Sequence, residues 1–131
     1  LVGSEMCIRD SAKQTANFDR SKALDVTTNL MQAHSKATGI FAENDEMAIG
    51  AISALGSKAG QSAKVVGFDG TADGIKAVKA GTMGATIAQQ PALLGKTAVD
   101  QAADILAGKQ VSKTTPIKVV LVTKDNAKDY E

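Results

Sequence analysis

The chain has a single cysteine, a single histidine and no tryptophan among its 131 residues. With Cys7 alone, neither an internal disulfide nor a cysteine-based zinc cage can form. His34 falls on the apolar side of a helical pattern, where packing is the expected role. With no second imidazole or nearby Cys/carboxylate set, no metal-ligand spacing is readable. Charge of one sign is also missing. Fifteen basic residues against fourteen acidic ones leave +1, and the lysines are dispersed, so there is no basic stripe of the kind that grips nucleic acid. Apolar runs stay far below the roughly 20 residues that cross a bilayer as a helix. At the N-terminus no basic start, apolar centre and small-residue cleavage site can be read, so the sequence does not declare its compartment.

Phosphate and calcium loops are absent as well. Gly56-Ser57-Lys58-Ala59-Gly60 lacks the lysine-hydroxyl ending of a Walker loop, and no G-x-G-x-x-G follows a strand. Asn44-Asp45-Glu46 lacks calcium-loop spacing. What remains is a chain with 44% hydrophobic residues, rich in Ala, Val and Ile, with the length of one α/β domain.

From residue 12 onward the pattern alternates. Asp19 can cap a helix starting near Arg20, with Ala23, Leu24, Thr27, Leu30, Met31 and His34 at helical spacing. Ile40-Phe41-Ala42 reads as a short strand. A helix capped by Asn44 follows, with Asp45 and Glu46 in its first turn, an apolar stripe of Met47, Ala48, Ala51, Ile52 and Leu55, and a stop at Gly56. Lys64 to Phe68 predicts a second strand, Asp69-Gly70 a turn, and Thr71 the cap of a short helix ending at Gly81. Gly84 to Ala88 predicts a third strand. Pro91 opens a helix bearing Leu94, Ala98, Ala102, Ile105 and Leu106, and Ile117 to Val122 forms a last strand. This order predicts an α/β fold, a mostly parallel sheet with right-handed crossovers flanked by helices.

In such a sheet, ligands bind outside the carboxyl ends of the strands. Reading just past each strand gives Asn44, Asp69 and Gln89, and Phe18 joins them if Ala16-Asn17 ends a strand. Amides and a carboxylate supply directional partners for hydroxyl groups, and an aromatic ring covers an apolar C–H face, so the set suits a sugar. Each residue also has an ordinary reading: Asn44 as a helix cap, Asp69-Gly70 as a turn, Gln89 as a surface residue before Pro91, Phe18 as core filler. Asp69 alone supplies no acid/base pair, so an enzyme is not expected.

The segments Ala16-Asn17-Phe18-Asp19-Arg20, Phe41 to Ala48, Val65 to Thr71 and Ala85 to Pro91 resemble the C-terminal part of bacterial D-ribose-binding proteins, over about residues 12 to 122. That family has two α/β lobes joined by hinge strands, which close on a sugar. The closed form is then recognised by an ABC permease and, in some bacteria, a chemotaxis receptor. By resemblance, Phe18 stacks on the sugar, while Asn44, Asp69 and Gln89 hydrogen-bond its hydroxyls. The resemblance also implies a periplasmic, monomeric binding protein with no cofactor, no nucleic-acid partner and no catalytic activity. It divides the chain into 12–89 as a partial C-terminal lobe, 90–116 as a hinge crossing with a helix of the other lobe, and 117–131 as a returning strand and tail. The first lobe and a sugar-contacting arginine have no counterpart, so a fragment holding part of the site is expected. Residues 1–11 resemble translated adapter sequence and read as a non-native leader, with a native loop or strand as the other reading. The effector-binding core of a lactose-repressor-type regulator shares the two-lobe fold and is the alternative function.

Overall fold

The structure, a computed structural model, describes residues 12–130, so the expectation for residues 1–11 lies outside the described residues. Among the described residues, four α-helices and four strands alternate: α1 (Arg20–Ala33), β1 (Gly39–Phe41), α2 (Asp45–Leu55), β2 (Lys64–Asp69), α3 (Ala72–Ala80), β3 (Ala85–Ala88), α4 (Pro91–Leu106) and β4 (Val120–Val122). Strand order is β1-β2-β3-β4, with β1, β2 and β3 parallel and β4 antiparallel to β3. The predicted α/β class and mostly parallel sheet are what is found.

The cap chemistry read from sequence sets the helix starts. Asp19, Asn44 and Thr71 each accept a backbone N–H from the first turn of the helix that follows. Gly81 ends α3 in the left-handed conformation that glycine adopts at least cost. The last strand is shorter than Ile117 to Val122. Val120 pairs with Ala88, the final residue of β3, and beyond it Pro91 has already turned the neighbouring chain into α4. Among the described residues, 117–119 therefore have no strand to pair with.

By register, Val65, Gly67, Thr86, Ala88 and Val122 share one face of the sheet. Val65, Thr86, Ala88 and Val122 are buried there, with Ala48, Leu55, Ile75, Val78 and Met83 also in the core. Small residues bring layers close: a Cβ at Gly50 would run into the Arg20 carbonyl and the Ala23 side chain, so α1 rests directly on α2. The other face carries Phe41, Val66, Phe68, Ile87 and Leu121 and is more open, with Phe41 at 65% and Leu121 at 54% exposure. Helix α4 has no buried residue. No described helix is long and apolar enough to cross a membrane.

Candidate functional site

Because β1, β2 and β3 are adjacent and parallel, the residues that end or follow them share one rim. Asn44 follows β1, Asp69 is the last residue of β2, and Gln89 follows β3. The contact between two of them is direct: Gln89 Nε2 donates to Asp69 Oδ1 at 2.7 Å, and the Gln89 backbone N–H donates to the Asp69 carbonyl at 3.0 Å. This leaves Gln89 an amide oxygen and Asp69 a second carboxylate oxygen for another partner.

Asp69 was expected in a turn, and it is instead the end of a strand with a φ of 121°. A non-glycine residue in that region costs about 1–3 kcal/mol and persists only where its surroundings over-determine it. Here the Gln89 bonds and the tight seat of Gly70 against Ala88 supply that restraint.

Asn44 does cap α2, its Oδ1 accepting the Met47 N–H at 2.9 Å. The cap uses the oxygen only. Its amide nitrogen has no hydrogen-bond partner among the described residues, so capping orients a donor rather than consuming it. Asn44 is 8% exposed, at the margin of the core.

Phe18 is not core filler, since it is 67% exposed. Among the described residues it does not follow a strand either; Asn17 and Phe18 form a tight turn ahead of α1, both with positive φ, 52° and 58°. The Asp19 N–H closes that turn on the carbonyl of buried Ala16 at 3.0 Å. Among the described residues, no hydrogen bond joins Phe18 to the other three. What carries its turn toward their rim is Arg20, two residues on. Its guanidinium donates twice to Glu46 at 2.9 Å and once to Asp73 at 3.0 Å, pinning the start of α1 to the first turns of α2 and α3. Hydrogen bonding to the Glu46 carboxylate, then to that of Asp73, raises the guanidinium pKa above its already high ordinary value, so this clamp keeps its positive charge.

Two features escaped sequence reasoning. The Arg20 clamp joins residues far apart in the chain, and no local pattern announces it. Asp45 was grouped with Glu46 as first-turn charge, but it is fully buried. Its spacing from Ala48, Ile52 and Leu55 puts it on the apolar stripe, and that periodicity was the available signal. Among the described residues, no cluster of three or more His, Cys, Asp or Glu could hold a metal ion.

A family model described as a periplasmic binding protein domain matches residues 4–110. The chain is 48% identical over 113 residues to the ribose import binding protein RbsB of Haemophilus influenzae, covering 86% of this chain and 38% of that protein. In structure it is similar to a periplasmic solute binding protein of an ABC transporter from Actinobacillus succinogenes, solved with bound D-allose. The TM-score is 0.88 with 35% identity, covering 94% of this chain and 44% of that one. It is also similar to the Caulobacter myo-inositol binding protein with its ligand, with a TM-score of 0.86 and 33% identity, covering 98% and 45%. The chain thus spans 38% to 45% of the length of these relatives.

Proposed function

This chain belongs to the periplasmic binding protein domain family, and from that membership we propose that it supplies one side of the sugar cleft in a binding protein of an ABC import system, with ribose as the favoured ligand. Phe18 covers the apolar face of the sugar ring. Asn44 donates to a hydroxyl, while the free oxygens of Asp69 and Gln89 accept from others. The observation that carries this reading is the shared rim: three hydrogen-bonding side chains at the ends of adjacent parallel strands, two of them already bonded to each other. Backbone strain at Phe18 and Asp69 supports it, because such conformations gather where a ligand is gripped.

The whole protein works in the periplasm as a monomer, closes two lobes on the sugar and presents the closed form to a permease, and in some hosts to a chemotaxis receptor. It does no chemistry on its ligand. Residues 12–89 form part of one lobe, 90–116 cross to the other, and 117–131 return. Supporting the crossing, Gln90 donates to the Lys118 carbonyl at 2.6 Å, so the outgoing and returning segments run side by side. Helix α4, just beyond, buries none of its residues against the described chain.

Magnitudes make this a shared site. Micromolar affinity needs about 8 kcal/mol, while a hydrogen bond contributes about 0.5–1.5 kcal/mol, or about 1.5–3 kcal/mol where a carboxylate accepts. Three bonds and a ring fall short. Calorimetry with ribose is expected to give micromolar binding for the intact protein and weak or undetectable binding for residues 12–131 alone. Micromolar affinity in the short chain would refute the two-lobe reading.

A further inference from the structure

Asp45 has no place among the proposed sugar contacts, yet it is the most heavily bonded side chain beneath them. It is fully buried and begins α2, one residue after Asn44. Its Oδ2 accepts from the Thr71 N–H at 2.7 Å and from the Thr71 hydroxyl at 3.0 Å, and its Oδ1 accepts from the Thr86 hydroxyl at 2.6 Å. The Thr86 oxygen in turn accepts the Gly70 N–H at 3.3 Å. One carboxylate therefore ties together the segment after β1, the loop that leaves Asp69, and the middle of β3.

The surrounding sequence leaves room for it. A Cβ at either Gly67 or Gly74 would run into the Asp45 carboxylate, so β2 and α3 both close on that group without side chains of their own. The first turns of α2 and α3 also meet there, and their unpaired N–H groups favour a negative charge. An apolar residue at this position would fill the space without burying a charge. What it would not supply is direction: two bonds from Thr71, and one from Thr86 that itself holds the Gly70 N–H, fix the β2–α3 loop relative to α2.

We propose that Asp45 is a positioning residue for the sugar site, holding the Asn44 amide and the Asp69 carboxylate at a fixed separation. This rests on the sugar-binding reading above. The carboxylate touches no ligand; it acts through the Gly70-Thr71 turn on Asp69 and through its own backbone on Asn44.

The test is ribose calorimetry on the intact protein with Asp45→Asn, Asp69→Ala, the double variant, and Val78→Ala as a destabilised core control. D45N is expected to weaken binding about tenfold, equivalent to about 1.4 kcal/mol. In the D69A background the same change should cost less than about twofold, because one of the two groups whose separation it sets is gone. V78A should lower the unfolding midpoint and leave affinity within about twofold. Wild-type affinity in D45N overturns the proposal, and so does a D45N penalty that multiplies in full with that of D69A, which marks a general structural role. If D45N does not fold, Thr86→Val removes one leg of the network, and an about threefold loss coupled to Asp69 in the same way is expected; unchanged affinity sinks the idea. If the wild type binds no monosaccharide, the functional reading itself fails and takes this one with it. Wild-type binding with an indifferent D45N sinks this proposal alone.

Discussion

At the scale of the residue, Asn44 shows why a structural and a functional reading need not compete. The cap uses Oδ1 and leaves the amide nitrogen without a hydrogen-bond partner among the described residues, so substitutions can separate the cap from the proposed sugar contact. Asn44→Ala is expected to lose about 1 kcal/mol of stability with the cap, and Asn44→Ser to keep most of it. Both should lose about tenfold in ribose affinity in the intact protein, since neither carries an amide donor; one bond of this kind contributes about 0.5–1.5 kcal/mol. Thermal denaturation and calorimetry on the two variants check this, and an Asn44→Ser protein that binds as the wild type would remove Asn44 from the site. The places of Asn44, Asp69 and Gln89 on one rim were legible because each stands at a set place relative to a strand end. The conformations of Phe18 and Asp69 were not. A positive φ at a non-glycine residue runs against local preference, and only neighbours such as Gln89 and Ala16 hold it there.

Elements divide in the same way. The caps of α1, α2 and α3 and the glycine stop of α3 were readable, since a first-turn N–H is satisfied from one or a few residues away. Strand β4 came out shorter than its apolar run because its length is set by the partner strand. Helix α4 was readable as a helix but not as a packed one. Its apolar residues Leu94 and Ile105 are 55% and 58% exposed. If α4 belongs to the other lobe, Leu94→Lys should change the unfolding free energy of residues 12–131 by no more than about 0.5 kcal/mol. In the intact protein, where Leu94 would be enclosed, the loss should exceed about 2 kcal/mol. Equal, small effects in denaturant titrations of both would place α4 outside any lobe.

Across the described residues, one sheet face is packed and the other is more open, with Phe41 and Leu121 both more than half exposed. Open apolar faces of this kind bind hydrophobic dyes and invite association. Residues 12–131 alone should therefore enhance anilinonaphthalene sulfonate fluorescence and form concentration-dependent oligomers in sedimentation, whereas the intact protein should do neither. A dye-silent, monomeric short chain would show that this face needs no cover. The alternating pattern of short apolar runs, caps and glycine stops was enough by itself to determine the α/β class, the order of elements and which residues stand past each strand, because those depend on interactions within a few residues. Tertiary structure alone decided that Asp45 lies under the rim while Glu46 lies on it, that Arg20 gathers three helix starts, and that Asp69 and Gln89 share a bond. Each of these joins groups at least twenty residues apart or separates neighbours by which side of a helix meets the sheet, and only packing brings such groups into range.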